Sequence, residues 1–260
     1  MRISWYGKYF GEEPPISGQG GSGTIFFCGC NLKCVFCQNW QISQGNTSCE
    51  TVSEAELLKI IFNLHNQGAG NINLVSPTIW AKQLIEVLKK AKQNGLKIPV
   101  VWNSNGYEKT EILKKLEGLI DIYLPDCKYS DEKLAIKYSS APEYPKIAQK
   151  AILEMFRQVG VKGLIVRHLI LPRQIKNSIE CLKFIRSISP KIYLSLMTQY
   201  NPTYKAKYFP EINRKLNQQE YNKVLRAVKE LRFENGWIQK FGESADLLMP
   251  DFSKKNPFNN

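Results

Sequence analysis

Four of the seven cysteines fall within ten residues, in the stretch Cys28-Gly29-Cys30-Asn31-Leu32-Lys33-Cys34-Val35-Phe36-Cys37. Three of them, Cys30, Cys34 and Cys37, are spaced C-x3-C-x2-C, so one short loop can turn its thiols toward a single inorganic centre. Thiolates are soft ligands suited to iron–sulfur clusters or zinc, and a 4Fe-4S cubane ordinarily takes four of them. Three from one loop leave one iron open to a second reactant. The competing assignment is a structural zinc site completed by Cys28 or Cys49, since structural zinc favours four Cys or His ligands. Such sites usually pair two C-x2-C knuckles, and this chain has one such pair. An odd cysteine count with this clustering points to a metal in a reducing compartment rather than to a disulfide frame. Cys127 and Cys181 stand alone. Cys181 shares helical spacing with Phe184 and Ile185 and reads as a buried small apolar residue.

The elements that must carry this loop follow from the alternation of apolar runs and helical patterns. Thr24-Ile25-Phe26-Phe27-Cys28 reads as a buried strand that delivers the loop at its C-terminal end. Further strands are expected at Asn71–Val75, Ile98–Trp102, Leu119–Leu124, Gly163–Arg167 and Ile192–Leu196. Between them helices are expected from the capping-box pattern Ser53-Glu54-Ala55-Glu56 to Gly68, and near 79–93, 110–116, 143–159 and 175–188. Another follows at 216–233. His65 lies within the first helix and reads as a packing or surface residue. Six strand–helix alternations predict right-handed crossovers and a partial parallel (β/α)6 barrel in one α/β domain over residues 22–240. Residues 1–21, rich in Gly and Pro, read as an irregular lead-in. Residues 241–260 read as a partly disordered extension, with Ser253-Lys254-Lys255-Asn256-Pro257 the disordered tail and the preceding segment free to fold over the barrel mouth.

In a parallel barrel all strand ends open on one face, so polar residues scattered in sequence converge there. After the strands come Ser76-Pro77-Thr78, Asn103-Ser104-Asn105-Gly106, Pro125-Asp126-Cys127-Lys128, Arg167-His168 and Met197-Thr198-Gln199. Turn and capping roles compete for Asn103 and Ser104, whose types favour turns. A charge at a buried strand end, as at Arg167 or Lys128, demands a partner.

Cys30, Cys34, Phe36 and Cys37 together resemble the signature of the radical S-adenosylmethionine (SAM) superfamily. The resemblance implies a 4Fe-4S cluster whose open iron is chelated by SAM, and reductive cleavage of SAM to a 5′-deoxyadenosyl radical that abstracts a hydrogen atom. It also implies cofactor contacts from Phe36, Ser76, Thr78, Asn103 and Asn105. Arg167 would pair with the SAM carboxylate or offset thiolate charge, and Asp126 and Lys128 would clamp a substrate backbone or each other. Within the superfamily, the Gly23–Asn39 region, the Asn103–Gly106 turn and Asp126-x-Lys128 are most similar to activating enzymes of glycyl radical enzymes, in a branch related to the pyruvate formate-lyase activase. That implies hydrogen abstraction from a glycine of a protein or peptide. One departure is that Ser76-Pro77-Thr78 stands where those activases carry Gly-Gly-Glu. No ferredoxin-like insert is present, so a separate flavodoxin or ferredoxin is the expected electron donor.

With 43% hydrophobic residues the chain can bury a sizeable core. The opening residues lack a signal-peptide run and no apolar run reaches spanning length, so a cytoplasmic protein is expected, with no membrane partner. The net charge of +13 admits nucleic acid, but the lysines are scattered along helical segments and read first as a solvated face. Radical modification of RNA or of a small metabolite is the second enzymatic reading. A non-catalytic iron–sulfur or zinc protein is the third.

Overall fold

The computed structural model describes residues 1–45, 47, 49–242 and 249–258. In chain order the elements are β1 (Arg2–Tyr9), α1 (Pro14–Ser17), β2 (Ser22–Phe27), α2 (Trp40–Ser43), β3 (Glu50–Thr51), α3 (Glu54–Asn66), β4 (Ile72–Val75), α4 (Ala81–Gln93), β5 (Val100–Ser104), α5 (Thr110–Leu116), β6 (Ile122–Pro125), α6 (Glu132–Ser139), α7 (Tyr144–Val159), β7 (Ile165–Leu169), α8 (Ile175–Ile188), β8 (Tyr193–Met197), α9 (Gln218–Leu231) and β9 (Asn235–Ile238). Strands β2, β4, β5 and β6 pair in parallel, as do β7, β8 and β9. Parallel bridges Tyr123–Leu164 and Asp126–Arg167 carry the sheet across from β6 to β7. The result is an open parallel barrel with helices outside. No ladder joins β9 to β2 among the described residues.

The strands read as apolar runs because both faces are covered: every residue of β2, β4 and β5 is buried. Their outward side chains, such as Ile72, Leu74, Val100 and Trp102, pack against Leu57, Ile61, Leu84, Leu88 and Leu113 of the helices. The capping box at the start of α3 is formed, with Glu56 N–H donating to Ser53 Oγ and Ser53 N–H to Glu56 Oε2.

Three expectations are corrected. The lead-in is not wholly irregular, since β1 lies antiparallel to β2 and β3 adds to its outer edge. Most of β1 is only half-buried, Ile3 being the buried exception, so the mixed run Arg2–Tyr9 concealed it. Asn235–Ile238 form β9, a seventh parallel strand beside the six expected. The tail is packed rather than disordered. Phe252 is 1% exposed, and Phe258 lies 5.1 Å from Trp5 and 4.2 Å from Tyr9, ring to ring. Two aromatic anchors flank the polar Ser253–Pro257 run, and the composition of that run hides them. Of the segment expected to fold over the barrel, residues 243–248 lie outside the described residues.

Candidate functional site

The cysteine loop leaves β2 at Cys28 and closes on α2. Gly29, at φ 84°, makes the turn, and its N–H donates to Ile42 O at 2.9 Å. Backbone N–H groups of Lys33 and Val35 donate to Ser139 and Tyr138 carbonyls at the end of α6, and Lys205 N–H donates to Val35 O. Leu32 and Val35 are buried against Tyr129, Tyr138 and Tyr144. With the loop held by that packing, Cys30, Cys34 and Cys37 line one cavity of about 550 Å³.

Each thiol has a polar neighbour. Asn105 Nδ2 and Leu32 N–H donate to Cys30 Sγ at 3.3 and 3.4 Å. Ser139 Oγ donates to Cys34 Sγ at 3.0 Å, and Ser43 Oγ lies 3.2 Å from Cys37 Sγ. Burial pushes the Cys34 thiol up, partly offset by Lys128. Burial, with Cys34 beside it, pushes Cys37 up to about 12. The fourth cysteine of the stretch departs from the metal-only expectation, because Cys28 is joined to Cys49 in a disulfide. The two residues offered as completing a zinc site therefore hold each other, and the bridge closes the loop that contains the other three thiols.

This donor set fits a cluster. Cys34 and Cys37, whose thiols burial pushes up, need a positive centre before they can ionise, and N–H and O–H groups from the loop and its neighbours surround the three sulfurs. Among the described residues no three His, Cys, Asp or Glu side chains converge as one metal ion would require. Ligands to separate irons of a cluster need no such convergence.

Across the cavity stands a charged network. Arg167 Nε donates to Asp126 Oδ1 at 2.9 Å, Lys128 Nζ to Asp126 Oδ2 at 2.6 Å, and Arg167 Nη2 to Asn103 Oδ1 at 2.6 Å. Burial alone would raise Asp126, but Arg167 and Lys128 outweigh it and hold the carboxyl below its ordinary range. Burial alone would lower Lys128, but Asp126 and Cys34 outweigh it and keep the ammonium charged. The Tyr144 hydroxyl ties the loops together, donating within reach of Asn105 O (2.7 Å) and Asp126 O (3.0 Å) and accepting from Lys128 N–H.

Of the residues anticipated from sequence, Phe36, Ser76, Asn103, Asn105, Asp126, Lys128 and Arg167 line the cavity with the three thiols. Phe36 packs edge-on against Tyr200 at 5.7 Å. Ser76 adopts φ 58°, in the left-handed region that glycine favours. Thr78 is not among the lining residues. Its hydroxyl donates to Glu108 Oε1 at 2.9 Å, beside the Trp102 indole on the helix side of the sheet. Arg167 is engaged by Asp126, and the cation near the thiols is Lys128. Sequence reading passed over Ser43, Ser139, Tyr144 and, from the lead-in, Glu12 and Glu13. The Glu12-Glu13-Pro14-Pro15 run was the available signal for the last two.

The model of the radical SAM superfamily matches residues 24–185. An uncharacterised protein of Methanocaldococcus jannaschii is 35% identical over 246 residues, covering 90% of this chain and 70% of its own. A pyruvate formate-lyase-activating enzyme of Clostridium pasteurianum is 24% identical over 234 residues, covering 83% of this chain and 93% of its own. Among solved structures, Streptococcus suis SuiB bound to its precursor peptide SuiA superposes with TM-score 0.59 at 14% identity over 82% of this chain. The chain spans 47% of that structure's length, so the likeness bears on the fold alone. No helix among the described residues is long and apolar enough to cross a membrane.

Proposed function

The chain belongs to the radical SAM superfamily, whose members use a 4Fe-4S cluster and SAM, and on that footing we propose an activase-like oxidoreductase that removes an α-hydrogen from a glycine of a protein or peptide. The observation that carries the reading is one cavity holding both the three-thiol loop and the Asp126–Lys128–Arg167 network. When bound, the cluster and SAM supply the 5′-deoxyadenosyl radical.

The chain's own residues have separable tasks. Cys30, Cys34 and Cys37 hold the cluster, while Asn105, Leu32 N–H, Ser139 and Ser43 spread the negative charge of their sulfurs. Phe36, Ser76, Asn103 and Asn105 form the wall that receives SAM. Asp126, ionised between two cations, fixes the orientation of Arg167 and Lys128, whose remaining N–H groups face substrate carbonyls or carboxylates. Val75, Leu169 and Met197 complete an apolar wall that limits water near a reactive radical. The relationship to the Clostridium enzyme, over 93% of that protein's length, supports the glycine assignment. The electron donor in this reading is a separate flavodoxin or ferredoxin.

The test is anaerobic reconstitution followed by dithionite, SAM and short peptides containing Cα-dideuterated glycine. Deuterium in the 5′-deoxyadenosine formed is the expected result; 5′-deoxyadenosine without deuterium would overturn the glycine assignment. One surface feature favours RNA modification as a second reading. Trp40 stacks on Tyr204 at 5.0 Å, Lys205 lies over Tyr204, and Tyr208, 68% exposed, carries Lys207 over its ring. Stacking faces interleaved with cations suit single-stranded nucleic acid, and a steep salt dependence of oligoribonucleotide binding would support that reading.

A further inference from the structure

The N-terminal segment carries two carboxylates into the cavity, and the tasks described so far leave them unused. After β1 the chain turns through Gly11 into Glu12-Glu13-Pro14-Pro15, where α1 begins. Ile16, 1% exposed, anchors the segment among Val101, Leu124 and Ile165 on the inner face of the sheet, and Asn71 Nδ2 donates to its carbonyl at 2.6 Å. Both glutamates thereby line the cavity that holds the three thiols.

Their donors differ. Glu13 uses both oxygens, accepting from Ser195 Oγ at 2.9 Å and from Trp237 Nε1 at 2.7 Å. Glu12 uses one. Its Oε1 accepts from Asn73 Nδ2 at 2.9 Å and from Asn103 Nδ2 at 3.5 Å, and no hydrogen bond reaches its Oε2 among the described residues. Asn73, 0% exposed, points into the lumen, as its contact with Glu12 requires, and its Oδ1 has no partner. A buried acceptor left unpaired is costly, and one that persists calls for an explanation at a functional site. The two uncommitted atoms belong to side chains joined by the Asn73 Nδ2–Glu12 Oε1 hydrogen bond, and both accept. Arg167, the nearest resident cation, has Nε and Nη2 committed to Asp126 and Asn103. Burial raises Glu12 to about 7 even with Arg167 pulling the other way, the behaviour of a carboxylate that lacks a direct cationic partner.

We propose that Glu12 and Asn73 Oδ1 form an ammonium subsite, with Glu13 adding charge, so that the substrate presents a primary amine such as a lysyl side chain beside the hydrogen that is removed. A primary ammonium has diverging N–H donors and no acceptor, matching a pair of acceptors in a confined space. The inference rests on the peptide reading above for its substrate class, and its test separates the two.

Calorimetry on the anaerobic, reconstituted, SAM-loaded protein would compare N-acetyl-Gly-Lys-amide with its norleucine isostere, and N-acetyl-Ala-Lys-amide with both. The lysyl peptides should bind about tenfold more tightly than the isostere, and Glu12→Gln should abolish that difference while leaving SAM affinity unchanged. Equal binding of lysyl and norleucine peptides to the native protein would overturn the subsite. So would a Glu12→Gln protein that loses SAM affinity, since Glu12 would then serve the SAM amine. Tight Ala-Lys binding without deuterium transfer from glycine in the earlier experiment would leave the subsite standing and remove the glycine assignment.

Discussion

At the scale of single residues, the difference between the cysteines is one of partners. Cys30, Cys34 and Cys37 are free thiols facing the cavity, whereas Cys28 and Cys49 are joined to each other. Cys30→Ala, Cys34→Ala and Cys37→Ala should each abolish the absorption and paramagnetic signals of a reconstituted 4Fe-4S cluster, while Cys28→Ala and Cys49→Ala should retain them. Spacing alone was enough to select the trio. It could not reveal that Asp126 and Arg167 answer each other, because they lie 41 positions apart and meet only across the β6–β7 bridge. His168 makes a second prediction. It is 0% exposed, its Nδ1 lies 2.6 Å from Cys127 O, and burial lowers its pKa to about 4. The unfolded chain therefore takes up this proton first, near pH 6.5. The contribution of His168 to stability should be intact above that pH, fall as pH drops toward about 4, and level off below it. The loss should be on the order of 3 kcal/mol. Denaturant unfolding across pH checks this, because a His168→Gln protein should show a flatter profile than the native protein over the same window.

Elements position these residues through short turns that tolerate little change. Gly106 follows β5 at φ 77°, and a Cβ built there would sit 2.3 Å from Asp126 O. Backbone approaches closely at this glycine, and the approaching group is the neighbouring strand-end loop. Gly106→Ala should destabilise the protein by on the order of 3 kcal/mol, from left-handed strain plus displacement of the Asp126 backbone. Its denaturation midpoint would register the loss, and reconstituted cluster content should fall with it because Asn105 donates to Cys30. Helix termini were legible from sequence. Ser53–Glu56 forms the anticipated capping box, and α5 and α8 span the anticipated residues. Strands β1 and β9 were less legible, since β1 carries only the short β3 on its outer side, β9 is an edge strand, and both have mixed burial patterns that resemble loop sequence.

On the scale of the whole molecule, the two ends of the chain complete the site. The N-terminal segment brings Glu12 and Glu13 to the cavity wall, and the tail brings Phe252 and Phe258 against Phe26 and Trp5. Phe252 shares a buried cluster with Cys28, Ile42 and Val75, so it supports the base of the cysteine loop. Phe252→Ala should cost about 3–5 kcal/mol, the range for an emptied aromatic core position, and should speed proteolysis of the tail relative to the native protein. The net charge of +13 is distributed in part over exposed helix faces, where Lys89–Glu86 and Lys90–Glu54 pair at the surface. Exposed pairs of this kind contribute little to stability.

By itself the sequence determined the thiol trio, the order of the six central strands and the helices between them, and the gathering of polar strand ends on one face. Those features are written in local spacing and periodicity, which survive without knowledge of distant contacts. Only the tertiary structure decided that Cys28 pairs with Cys49, that Thr78 serves Glu108, that Arg167 is held by Asp126, and that two lead-in glutamates enter the lumen. Each of these depends on groups brought together by sheet curvature and chain crossing, and hydrogen bonds and disulfides form between neighbours in space, whatever their separation along the chain.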